Sequence, residues 1–128
     1  MTTLRALALA ATIALAGACA SAAPPTATTP NAAPGTANAL VLISGFAFDA
    51  QTAGDKTALE VTKGTTVTWS NKDGTTHTVS SGTPPAKDGK FDGQVAAGGS
   101  FSFTFADAGT FKYFCAIHNR MTGTITVK

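Results

Sequence analysis

The chain has 128 residues, with nine Lys and Arg against seven Asp and Glu and a formal charge of +2. Charged residues are only 12% of the total and the cations are scattered, which excludes the basic footprint of a nucleic-acid binder. The two cysteines, Cys19 and Cys115, fall in very different segments, which argues against a structural disulfide between them.

Residues 1–20 read as an export signal. Arg5 supplies the positive start, Ala6 to Ala18 forms an apolar run, and Ala18-Cys19-Ala20 fits a small-residue cleavage site. The run is shorter than the roughly 20 residues a bilayer span needs. Leu15-Ala16-Gly17-Ala18-Cys19 also resembles an imperfect bacterial lipobox, so Cys19 is either removed with the leader or kept as a lipid anchor. Both readings place the mature chain in the periplasm or outer cell envelope.

Residues 21–39 contain Pro24, Pro25, Pro30 and Pro34 among Ala, Thr and Ser, with no Leu, Ile, Val or aromatic side chain. Nothing there can build a core, so a disordered, partly extended linker is expected. From Leu40 onward the composition changes, and all eight Phe, the Trp and the Tyr lie beyond that point. Residues 40–128 are enough for one modest core.

This domain is predicted to be all-β, an antiparallel sandwich of about seven or eight strands, because short alternating runs are punctuated by Gly, Asp, Asn and Pro. Leu40–Ile43 begins the first strand. Phe46-Ala47-Phe48 is expected to put two aromatics on one face. Leu59–Val61 is a short strand, and Thr65–Asn71 alternates with Val67 and Trp69 pointing the same way. Asp73-Gly74 is a turn, followed by Thr76–Val79. Gly82 to Gly93, with Pro84 and Pro85, is expected to be a long loop, and its Asp88 and Asp92 to face solvent. Ser100–Phe105 places three Phe inward and its Ser and Thr outward. Asp107-Ala108-Gly109 turns the chain into Thr110–Cys115. Met121–Lys128 closes the domain with Gly123, Ile125 and Val127 on one face.

Between the last two strands lies Cys115-Ala116-Ile117-His118-Asn119-Arg120-Met121, which holds a thiol, an imidazole and a thioether at Cys-x2-His-x2-Met spacing. The chain has only two His and two Met, one of them the initiator. A thiolate, an imidazole and a thioether form a soft set that favours copper over magnesium, calcium or manganese. A structural zinc site has no use for Met. A blue-copper centre needs two His and one Cys in a plane with a weak axial Met, and His77 is the one histidine left to complete it. Each residue alone has an ordinary reading: a buried strand-end Cys, a loop His, a core Met. Jointly those readings leave the spacing and the absence of spare donors unexplained. A Cys–His nucleophile is the catalytic alternative, but no acid or amide is evident to orient the base, and no enzymatic activity is expected.

Val67-Thr68-Trp69-Ser70-Asn71, His77-Thr78-Val79, Phe91-Asp92-Gly93, Gly109 to Cys115, His118, Met121 and Gly123 to Val127 together resemble the cupredoxins, the small blue-copper proteins of plastocyanin and amicyanin type. The short span from Cys115 to Met121 is similar to the ligand loop of amicyanins. The resemblance implies a Greek-key sandwich with one type 1 copper held by His77, Cys115, His118 and Met121. It implies one-electron transport between transient donor and acceptor redox proteins, by a chain expected to be monomeric. His118 would be the electron port, with Ile117, Ala116, Arg120 and Pro84 or Pro85 in the docking patch around it. Thr78 and Asn71 would stand behind the ligands. Relatives often carry Asn where Thr78 stands and a Pro in the ligand loop where this chain has none. The Thr78 N–H is still expected to reach the Cys115 sulfur. Loop rigidity must then come from hydrogen bonds and packing, and Arg120 would tune the potential or favour an acidic partner. The second functional reading is a periplasmic copper carrier or storage protein.

Overall fold

In the computed structural model, which describes residues 37–128, the most regular strand is the one that carries the tryptophan. Thr65–Asn71 (β4) alternates buried and half-buried along its whole length, as a strand sandwiched between a core and a partly covered outer face must. Val67 and Trp69 point inward and are fully buried. Asn38–Ser44 (β1) runs parallel to β4, Ala47–Asp49 (β2) pairs with β1, and Ser100–Phe105 (β7) pairs antiparallel with β4. These four make one sheet, in the order β2-β1-β4-β7. The second sheet runs β3-β9-β8-β5-β6. Its strands are Ala58–Val61 (β3), His77–Thr83 (β5), Ala86–Val95 (β6), Gly109–Phe114 (β8) and Thr122–Val127 (β9).

The all-β sandwich expected from the sequence is therefore present, with three corrections. Both sheets are mixed rather than wholly antiparallel, because β1 runs parallel to β4 and β3 parallel to β9. The described residues form nine strands, because Gly82–Gly93 is not a loop but most of the β5–β6 hairpin. Its tight point is Gly82, where φ is +126° and a Cβ would lie 2.3 Å from the Ala86 carbonyl, so glycine lets the strand shift register beside the turn. The chain also enters β1 at Asn38, two residues inside the segment expected to be linker. Backbone pairing of Asn38 and Ala39 with Thr66 and Val67 needs no large side chain. The leader with Cys19, and the rest of the linker, lie outside the described residues.

Trp69 fills the centre of the core. Its ring is 5.4 Å from Tyr113 in a T-shaped contact, and 5.8 Å from both Phe91 and Phe101. Aromatic pairs at these separations add about 0.5–1.5 kcal/mol each beyond their area burial. Phe105 is buried on β7, with Phe101 and Phe103 partly covered, as the alternation there predicts. Gly123, Ile125 and Val127 share the inward face of β9. Asp88 and Asp92 are exposed, Asp92 being tied to Ser80 and Lys87. This rigid block ends with His77 at the start of β5 and Cys115 just after β8, at the same end of the sheet.

Candidate metal centre

The loop after β8 folds back on itself through two backbone hydrogen bonds. The Cys115 N–H donates to the Met121 carbonyl at 3.0 Å, and the Met121 N–H donates to the His118 carbonyl at 2.9 Å. The Ala116 N–H donates to the Thr78 hydroxyl at 2.7 Å. These bonds supply the rigidity that a loop without proline requires.

The fold brings His77, which is far from this loop in sequence, against it. His77 is 0% exposed, Cys115 is buried and His118 is half-buried. The two Nδ1 atoms lie 3.2 Å apart, and Cys115 Sγ lies 3.8 Å from that of His77 and 3.7 Å from that of His118. A point equidistant from the three atoms is about 2.1 Å from each, close to the length of a metal–imidazole bond and slightly short of a metal–thiolate bond. Two imidazole lone pairs facing each other at such range repel unless a proton or cation lies between them. The residues therefore fit a metal ion, and a thiolate with two imidazoles and a thioether nearby is a soft set that favours copper. Met121 is buried beside them and lines the small cleft formed with Phe46, His118, Asn119 and Arg120.

Thr78 braces the sulfur as expected. Its backbone N–H donates to Cys115 Sγ at 3.3 Å, and its hydroxyl sits 3.9 Å from the same atom. Asn71 acts one step further away. Its Nδ2 contacts the carbonyls of Thr75, Val95 and Ala96, and its Oδ1 accepts the Asp73 N–H, which ties the loop before His77 to the end of β6.

Two residues of this site escaped the sequence reading. Asp73 was legible only as half of a turn. Its carboxylate accepts the N–H groups of Gly45 and Phe46 at 2.7 and 3.0 Å, and lies 3.0 Å from His77 Nε2. Those hydrogen bonds, the one from Phe46 foremost, hold its carboxyl below the usual range against the opposing effect of burial. An Asp four residues before a candidate ligand was the available signal. Phe46 does not share a face with Phe48. It sits in the Gly45–Phe46 turn at φ +59°, a conformation that costs a bulky L-residue about 1–2 kcal/mol. Its ring lies 5.5 Å from His77 and 5.0 Å from His118, edge-on to both.

Around His118 the surface is apolar at two exposed positions, Ile117 at 53% and Phe46 at 55%. Ala116 and Arg120 are also exposed. Pro84 and Pro85 do not join this patch. They form the β5–β6 turn, and Pro84 borders a separate groove with Thr57, Lys112, Tyr113 and Thr122.

Copper-binding proteins of the plastocyanin/azurin family match residues 48–128 of the chain. Among solved structures, a reduced Cu(I) form, at pH 4, of a proline-to-glycine mutant of amicyanin is 27% identical; the alignment covers 71% of this chain and 82% of that one, with a TM-score of 0.59. The Cu(I) form of a methionine-to-alanine mutant of amicyanin is 28% identical over 75% and 86% of the two chains, with a TM-score of 0.58. A purple cupredoxin from Nitrosopumilus maritimus is 28% identical over 70% of this chain and 99% of its own, with a TM-score of 0.57. No curated protein sequence matches the chain. The matched span contains all of the converging donors, and the chain belongs to the plastocyanin/azurin family of copper-binding proteins, the cupredoxins.

Proposed function

We propose that the protein is a type 1 blue-copper electron carrier that shuttles single electrons between redox proteins in the cell envelope. His77, Cys115 and His118 would hold the copper, with the buried Met121 thioether available beside them as a further soft donor. The observation that carries this reading is the convergence of three donor atoms, from two separate segments, at 3.2 to 3.8 Å from one another. Copper bound there supplies the one-electron couple. The protein's part is to keep the donors still between oxidation states. His77 is locked at the start of β5, Cys115 is buried at the end of β8, and the loop hydrogen bonds hold His118 and Met121 to Cys115. A site held in this way adds little reorganisation to electron transfer, and the hydrogen bonds to the sulfur tune its potential.

The electron enters and leaves through the His118 ring. The apolar surface of Phe46 and Ile117 suits a small, short-lived interface with a donor or acceptor. Arg120 beside it favours a partner with acidic groups at the rim. The carrier works as a monomer, exported by the leader and released or anchored through Cys19. An intact mass of the mature chain decides between these, since lipidation adds acyl mass to Cys19 and cleavage removes it.

The test is reversible cycling. One equivalent of copper, reduced and reoxidised repeatedly, is expected to stay bound with a single sharp midpoint potential. Loss of copper on each reduction would contradict electron transport. A colourless protein that binds Cu(I) tightly would support a copper carrier instead.

A further inference from the structure

The Gly45–Phe46 turn and the buried ring of His77 belong to different sheets, and both end on Asp73. Each carboxylate oxygen has work. Oδ1 accepts the Gly45 N–H, while Oδ2 accepts the Phe46 N–H and faces His77 Nε2. An ionised carboxylate can only accept, so the ring nitrogen opposite it must carry the proton. The neutral imidazole then has its lone pair on Nδ1, the atom that faces Cys115 and His118. The Asp73 side chain is 13% exposed and that of His77 is 0% exposed, so water is poorly placed to substitute.

Phe46 supplies the second half of the observation. Its left-handed backbone is not repaid by burial, since the residue is 55% exposed. What the conformation achieves is placement: one ring edge-on to both imidazoles, bordering the cleft beside His118 and Met121. The two N–H groups that hold this turn are the ones Asp73 accepts. Asn71 in turn fixes Asp73 through its N–H.

We propose that Asp73 is a positioning residue of the metal centre, which sets His77 in the Nε2–H tautomer and with the same carboxylate latches Phe46 as a cover over both histidines. The proposal rests on the copper reading above. Carboxylates placed behind a metal-binding imidazole fix its tautomer and orientation. Here the same group also governs how open the site is, so ligand geometry and access to the metal are coupled.

The test compares the full chain with Asp73→Ala, Asp73→Asn and Phe46→Gly. In the metal-free protein, long-range proton–nitrogen spectra of the two histidines report the tautomer, and hydrogen exchange reports the Gly45 and Phe46 amides. The wild type is expected to show His77 as the Nε2–H form with both amides protected. Asp73→Ala is expected to mix the tautomers and to cut both protections about tenfold. Copper affinity is then expected to fall about 10–100-fold. Phe46→Gly suits the left-handed turn, so it keeps the His77 tautomer and the amide protection but releases copper to a chelator faster. If Asp73→Ala does not fold, Asp73→Asn decides: with one acceptor oxygen it must lose at least one of the three signals. Unchanged tautomer and protection in either Asp73 variant would overturn the proposal, as would a Phe46→Gly protein that releases copper at the wild-type rate. A wild type that shows all three signals yet takes up no copper would overturn the copper reading and leave the latch standing.

Discussion

The Thr78 N–H points at the Cys115 sulfur from 3.3 Å, and the Thr78 hydroxyl accepts the N–H of the next residue, Ala116, at 2.7 Å. One residue thus grips the thiol and the first turn of its loop. Thr78→Val keeps the shape and the backbone N–H and removes only the hydroxyl. The expected cost is about 0.5–1.5 kcal/mol in thermal stability. The hydroxyl lies near the sulfur, where it favours the more electron-rich reduced state. Its loss is therefore expected to lower the reduction potential, by less than the ~59 mV of one tenfold step. Voltammetry and melting of Thr78→Val beside Thr78→Ser check this, with Ser retaining both properties.

Gly123 lies under the Tyr113 ring, where a Cβ would meet Tyr113 Cζ at 2.3 Å. An alanine in a strand ordinarily gains over glycine. Here it must push a buried ring off the neighbouring strand, and overpacking of this kind costs about 1–3 kcal/mol. Gly123→Ala is expected to lower the denaturant midpoint of the metal-free protein without changing the slope. A midpoint equal to the wild type would show that β8 and β9 do not pack as described.

Tyr113 is the only tyrosine of the chain, so an alkaline absorbance titration reads it without ambiguity. Burial pushes its phenol up to about 12, with the nearby Trp69 N–H opposing weakly. Neither Tyr113 Oη nor Trp69 Nε1 makes a hydrogen bond of good geometry among the described residues. Between the unfolded value of about 10 and the folded one, the native state keeps a proton that the unfolded chain has lost. The contribution of Tyr113 to stability is thus fully present below pH 10 and falls as pH rises, by roughly 2–3 kcal/mol across that window. Phenolate absorbance is expected to appear near pH 12 or together with unfolding. Ionisation near 10 in a protein still folded would contradict the burial of this ring.

Ile117 and Phe46 frame His118 with exposed apolar surface. If electrons cross there, two molecules of the copper protein must bring these faces together to exchange electrons with each other. Ile117→Lys sets like charges face to face next to Arg120. The self-exchange rate, read from NMR line broadening of partly oxidised samples, is expected to fall about tenfold or more at low salt and to recover as salt screens the charge. An unchanged rate would move the port away from His118.

Much of this molecule was legible in the chain because period-2 patterning and ligand chemistry are local. Ser100–Phe105, Thr65–Asn71 and Cys115-x2-His118-x2-Met121 could be read without knowing what surrounds them. The parallel pairing of β1 with β4 could not, since backbone pairing leaves no mark on side-chain alternation. The β5–β6 hairpin was hidden by Gly82 and the two prolines, which read as loop but form a bulge and a turn. Asp73 and Phe46 were hidden for a different reason. Their roles exist only once the Gly45–Phe46 turn and the start of β5 meet, and neither short segment carries a pattern that announces the other.

Cys115 and the two histidines are placed to hold one copper ion through a thiolate bond. The most direct measurement is addition of Cu(II) to the metal-free protein while recording its visible spectrum. An intense thiolate-to-copper absorption that saturates at one equivalent is expected. It should vanish in Cys115→Ser and weaken or shift in His77→Ala and Met121→Leu. A protein that stays colourless with copper, or whose colour survives the loss of Cys115, would contradict the account.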